Sequence, residues 1–132
     1  MIRREKCIVF DIDGTICTIK TADQSYDDVV PHPEVLAKLR EYRALGFYII
    51  LATSRNMNSY NGNVGLLVAR TAKQLFAWFD RYDIPYDELH VGKPWPGRNG
   101  FYVDDKAIRP DEFVNLDYAQ ILALVGDAQE AE

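Results

Sequence analysis

Asp11 and Asp13 stand two positions apart, directly behind the apolar run Lys6-Cys-Ile-Val-Phe10, and Gly14-Thr15 follow them. Three further apolar runs end in polar residues. Thr53-Ser54-Arg55 follows Phe47-Tyr-Ile-Ile-Leu-Ala52, Lys93 comes just after Leu89-His-Val91, and Asp104-Asp105 follows Phe101-Tyr-Val103. In a parallel sheet, ligands bind outside the carboxyl ends of the strands, so these groups would share one edge. Four carboxylates gathered with a hydroxyl and one lysine repel one another unless a cation sits among them. Hard oxygen donors, with no His or Cys beside them, point to Mg²⁺ at Asp11, Asp13, Asp104 and Asp105. Lys93 and Thr53 opposite the acids then leave space suited to an anion bridged to the metal, and phosphate is the natural candidate.

The elements that must hold these residues alternate strand with helix. The first run is too short for a helix and reads as a buried strand. Residues 16 to 30 lack a clean period and read as an irregular flap. Pro33 and Glu34 suit a helix start, Val35, Leu36, Leu39 and Tyr42 share a face, and Gly46 closes that helix. Phe47 to Ala52 is the most strand-like run. After an Asn-rich loop over residues 54 to 63, one long helix is expected from about Val64 to Tyr82. Its inward face would carry Val64, Leu67, Val68, Thr71, Leu75, Phe76 and Phe79. Leu89 to Val91 and Phe101 to Val103 read as strands. Asp117 caps a last helix with Tyr118, Ile121, Leu122 and Val125 on one face, and residues 127 to 132 form a frayed tail. The pattern predicts an α/β fold, a mainly parallel sheet with helices on both faces, in a single domain over residues 1 to 132.

The chain has 132 residues, 15 Lys+Arg against 20 Asp+Glu, and a formal net charge of −5. With 48% apolar and 27% charged residues it has a globular composition, which excludes wholesale disorder. The acidic balance speaks against nucleic acid as partner. No apolar run approaches the roughly 20 residues of a membrane span, and no signal peptide opens the chain, so a cytoplasmic location is expected. Cys7 and Cys17 are too few for a disulfide framework and read as reduced thiols.

Each residue also has a duller reading. Asp11 to Gly14 could begin a calcium loop, but the glycine falls at the fourth position rather than the sixth. Taken singly, Thr53 could merely end a strand, Lys93 could be a solvated charge and Asp104-Asp105 a turn. Arg55 divides evenly between a substrate anion and a surface ion pair. His32, His90 and Trp78 read as structural, and Trp95, between two prolines beside Lys93, could be a substrate platform. Joint placement at the strand ends is what lifts the set.

The segment Val9-Phe-Asp-Ile-Asp-Gly-Thr15 resembles the DxDGT signature of the haloacid dehalogenase-like (HAD) phosphatases. Thr53 at the end of its strand, Lys93 in Gly92-Lys-Pro94 and the acids after Phe101-Tyr-Val103 resemble that superfamily's other motifs, in order. The wording Gly92-Lys-Pro-Trp-Pro-Gly97, with Gly100 to Pro110, is similar to the small phosphatases found with capsule and surface-polysaccharide genes.

This resemblance implies a three-layer Rossmann-like fold and roles residue by residue. Asp11 would attack phosphorus and become an aspartyl phosphate. Asp13 would protonate the leaving oxygen, then activate water. Thr53 and Lys93 would hold the phosphoryl group, with Gly14, Thr15, Ser54 and Arg55 on the substrate side. Mg²⁺ would be the cofactor, with Asp105 preferred to Asp104 as direct ligand. About 40 residues separate Asp13 from Thr53, and again Thr53 from Lys93. Neither interval accommodates a large cap domain, so the site should be open. Specificity would then come from the flap, the Asn-rich loop or a second subunit, and the substrate is expected to be a phosphorylated small molecule such as a sugar or polyol phosphate. A receiver-like phospho-acceptor domain, a phosphatase for macromolecular phosphates and a non-catalytic scaffold with a relic site are the competing readings.

Overall fold

The computed structural model describes residues 6–126. The chain divides into two compact units, Met1–Trp95 and Pro96–Glu132, with the division inside the turn rich in Pro and Gly that runs from Gly92 to Gly97.

The first unit is an α/β layer built on three parallel strands. β1 (Cys7–Asp11) pairs with β2 (Tyr48–Thr53), which pairs with β3 (Glu88–Val91), in the order β1-β2-β3. The registers Asp11↔Ala52 and Thr53↔Val91 bring the three carboxyl ends level. Both crossovers advance the same way, so right-handed connections lay the helices of this unit on one face of the sheet, where the alternating pattern predicts helices on both. Burial alternates accordingly along β2: Ile49, Leu51 and Thr53 are buried, whereas Tyr48, Ile50 and Ala52 are half-buried.

The first crossover holds α1 (Pro33–Ala44), with Pro at its start and Val35, Leu36, Leu39 and Tyr42 buried, the four residues the periodicity selects. The second holds the long helix expected from Val64, but it is not one regular α-helix. A short turn, α2 (Val64–Leu66), runs into a π-helical segment, Leu67–Ala72, and then into α3 (Lys73–Tyr82). Asn63 caps its start by accepting from the Leu66 N–H. Leu67, Thr71, Leu75 and Phe79 are buried as the periodicity predicts, and Trp78 with them. Val64, Val68 and Phe76, assigned inward by a constant 3.6-residue period, are exposed instead. Asp83 ends α3 in the left-handed conformation.

The flap is held down rather than loose. A 3₁₀ turn at Tyr26–Asp28 is capped by Ser25, Val29 is fully buried, and the Trp78 indole N–H donates to the Val29 carbonyl at 2.9 Å.

The second unit holds α4 (Pro110–Asn115), which the sequence reading did not separate from its surroundings, and α5 (Tyr118–Val125). Pro110 at the first helical position, and Glu112 accepting from the Arg109 N–H, were the available signals for α4. Asp117 caps α5 as predicted, accepting from the Gln120 N–H. Of the face proposed for α5, Ile121 is buried and Tyr118 and Leu122 are exposed. The fourth strand does not form: Phe101, Tyr102 and Val103 have no regular structure and are exposed. Their composition suits a strand, but a strand exists only through ladder bonds to a neighbour, and the described sheet ends at β1 and β3. The tail over residues 127 to 132 lies outside the described residues. Among the described residues no helix is long and apolar enough to cross a membrane.

Candidate functional site

The site grows out of the carboxyl end of β1. Asp11 is the strand's last residue. Behind it the chain turns back on itself, with the N–H groups of Thr15, Ile16 and Cys17 all reaching the Ile12 carbonyl at 3.0 to 3.2 Å. Gly14 makes this turn with φ of +83°, a conformation open to glycine. Asp13 therefore lies in the turn beyond the strand, as two acids on one face require.

Asp11 has two neighbours. Its Oδ2 accepts from the Thr15 hydroxyl at 3.3 Å, and its Oδ1 stands 3.3 Å from the Lys93 ammonium. Lys93 is held by its own backbone, whose N–H donates to the Thr53 carbonyl at 3.0 Å. The side chains of Asp11 and Lys93 are 34% and 26% exposed, open enough to meet a ligand from solvent. Thr53 is buried, and its Oγ1 accepts from the Arg55 N–H at 2.9 Å. A hydroxyl has one donor as well as acceptor positions, so this bond leaves the Thr53 proton to give. Ser54 is half-buried, and its carbonyl accepts from the Met57 N–H.

Arg55 takes neither position that the sequence suggests for it, substrate anion or surface pair. Its side chain has no solvent exposure and forks onto Asp13, with Nε to Oδ2 at 3.0 Å and Nη2 to Oδ1 at 2.7 Å. Beneath them, burial pushes the Cys17 thiol up to about 12, with Asp13 adding to the effect, so Cys17 is no nucleophile. Burial also raises the Tyr26 phenol, again with Asp13 contributing.

The structure thus brings Asp11, Asp13, Thr15, Thr53, Arg55 and Lys93 together within the first unit. Asp104 and Asp105 belong to the second, where both are exposed and Asp104 Oδ1 accepts from the Lys106 N–H at 2.8 Å in a local turn. Among the described residues, no three His, Cys, Asp or Glu side chains gather as a metal-binding group. Magnesium does not need three, since one or two carboxylates, substrate phosphate and several waters suffice for it. Asp11, a partly exposed carboxylate, and the backbone carbonyl of Asp13 are oxygen donors that fit it, the Asp13 carboxylate being held by Arg55.

Gln74 and Tyr26 are the residues of the site that sequence reading missed. Gln74 Oε1 accepts from Arg55 Nη1 at 2.6 Å, and the Tyr26 ring covers the guanidinium at 4.1 Å. Neither lies near a motif, and no local signal singles them out.

These features define an α/β protein with a parallel sheet and its chemistry-bearing residues at the strands' carboxyl ends. The chain is similar to a structural-genomics target from Vibrio cholerae known from a crystal structure, with 42% identity over 96% of this chain and 99% of that chain, and a TM-score of 0.86. It belongs to the same family as that Vibrio cholerae protein. No family model and no curated protein matches it.

Proposed function

We propose that the chain is a HAD-type, Mg²⁺-dependent phosphomonoester hydrolase that works through an aspartyl phosphate, with a sugar or polyol phosphate of surface-polysaccharide synthesis as substrate. The observation that carries this reading is the pairing of Asp11 with Lys93 at 3.3 Å beside an Asp13 whose carboxylate is held in a fixed plane. The DxDGT-like segment and the order of the other motifs support it. The assignment of Asp104 and Asp105 to the metal rests on the sequence motif alone.

In this mechanism an Asp11 carboxylate oxygen bonds to phosphorus as the ester P–O bond breaks. Asp13 gives its proton to the departing oxygen, releasing the alcohol. Water then attacks the aspartyl phosphate and loses a proton to Asp13. The phosphorus–Asp11 bond breaks, and inorganic phosphate leaves. A carboxylate approaching an anionic phosphate meets repulsion of several kcal/mol at intermediate dielectric. In this reading Lys93 offsets part of it, and the Thr53 hydroxyl donates to a phosphoryl oxygen. Bound magnesium would supply further charge neutralisation at the phosphate, held by Asp11 and Asp13.

A phosphate-release screen with Mg²⁺ over sugar phosphates, polyol phosphates, nucleotides and acetyl phosphate tests the reading. Catalytic release of phosphate is expected. A durable phosphoprotein formed from acetyl phosphate without turnover would overturn it in favour of a receiver-like acceptor.

A further inference from the structure

Arg55 is a buried charge whose contacts run in two directions. Toward the site, both arms of its fork end on the single carboxylate of Asp13, at 2.7 and 3.0 Å. Away from it, Nη1 donates to Gln74 Oε1, and Gln74 Nε2 donates to Asp27 Oδ1 at 3.1 Å. Tyr26, the neighbour of Asp27, lays its ring over the guanidinium. Both residues sit in the 3₁₀ turn of the segment 16–30, which α3 also grips through Arg81 Nη1 to the Asp27 carbonyl at 3.3 Å and Trp78 to Val29.

A guanidinium with no exposure is retained in a fold only when paired, and two parallel bonds to one carboxylate fix its plane as a single ammonium cannot. Asp13 Oδ1 also accepts from the Cys17 thiol at 3.6 Å, so Oδ2 is the oxygen that keeps a second lone pair for proton traffic. Arg55 itself, sealed beneath Tyr26, does not face solvent.

We propose that Arg55 is a positioning residue for Asp13, and that the segment 16–30 sets where Arg55 stands through Tyr26 and through the Asp27–Gln74 bridge. The segment then governs the chemistry by aiming the proton-transferring carboxyl, not by covering substrate. The kinetic half of this proposal rests on the phosphatase reading; the linkage half does not.

The test follows amide hydrogen exchange over residues 25–29, and turnover of an alkyl phosphate against 4-nitrophenyl phosphate, in the full chain. Arg55→Gln is expected to speed exchange there by about tenfold or more, since it removes both the ring contact and the Nη1 bond that anchors Gln74 beneath Asp27. It should lower alkyl phosphate turnover roughly a hundredfold, the scale of an ångström-level misplacement. The nitrophenyl ester, whose leaving oxygen departs without a proton, should lose under about tenfold. Arg55→Lys should leave the alkyl-to-aryl ratio near that of Arg55→Gln. Gln74→Met, which cuts the bridge while sparing the buried pair, should speed exchange over residues 26–28 to a smaller extent.

Unchanged exchange in both Arg55→Gln and Gln74→Met would overturn the linkage. Equal losses on the two esters, or full rescue by Arg55→Lys, would overturn the positioning role. If Arg55→Gln does not fold, Gln74→Met decides by the same readouts: faster exchange with a larger loss on the alkyl ester supports the proposal, and neither overturns it. If the wild type hydrolyses no ester, the phosphatase reading fails by itself. Asp13→Asn then settles the linkage, with faster exchange over residues 25–29 expected and unchanged exchange refuting it.

Discussion

The Lys93 ammonium stands 3.3 Å from Asp11 Oδ1, although 82 positions of sequence separate them. Parallel pairing through β2 makes the contact, because levelling the ends of β1 and β3 carries both side chains to the same edge. Lys93→Met should therefore lower phosphate release about 10²- to 10³-fold, the usual cost of losing one preorganised charge or donor at a reacting oxyanion. Lys93 is partly exposed, so the thermal midpoint should hardly move. Steady-state kinetics alongside a melting curve check both.

Asp11→Asn removes the attacking carboxylate while keeping its volume. Phosphate release should vanish with the circular dichroism spectrum unchanged, and turnover in this variant would remove the nucleophile assignment. In the wild type, EDTA should silence release and added Mg²⁺ restore it.

Gly14→Ala tests the turn between the acids. A Cβ there would sit 3.2 Å from Ile19 Cδ1, and φ is +83°. A left-handed alanine costs about 1–2 kcal/mol, so urea denaturation should show a loss of that size. Activity should fall as well, because the turn aims Asp13.

Asp87 joins the start of β3 to two elements. Its carboxylate pairs with Arg43 of α1, and its Oδ2 also accepts from the Ile49 N–H of β2 at 2.8 Å. The Arg43 hydrogen bond is the main force holding this carboxyl below its usual range, and that from Ile49 adds to it. A carboxyl with a lowered folded pKa contributes stability that is complete above about pH 4 and is lost as pH falls through the folded value. Asp87→Asn should cost about 1 kcal/mol at pH 7, as expected of a partly exposed pair, and progressively less as the pH falls below about 4. Urea midpoints at the two pH values read the difference.

Much of this was legible in the residues themselves. The β1 run, its abrupt end at Asp11, the Pro33 start and the buried face of α1 all follow from local composition and period. The π segment was not legible, because nothing in Leu67 to Ala72 announces an extra residue per turn, and it exposes Val64 and Val68. Phe101 to Val103 has a strand's composition without a strand's partner, and pairing is a property of the neighbour.

Local composition was enough to show which chemical groups the chain owns, that Asp11 and Thr53 end strands and that Lys93 follows one, since propensity and period act over a few residues. That Arg55 turns inward to grip Asp13, and that Gln74 and Tyr26 hold it there, came from packing alone. Those contacts join residues 19 to 42 positions apart, and a buried charge takes whichever partner the packed chain places within reach.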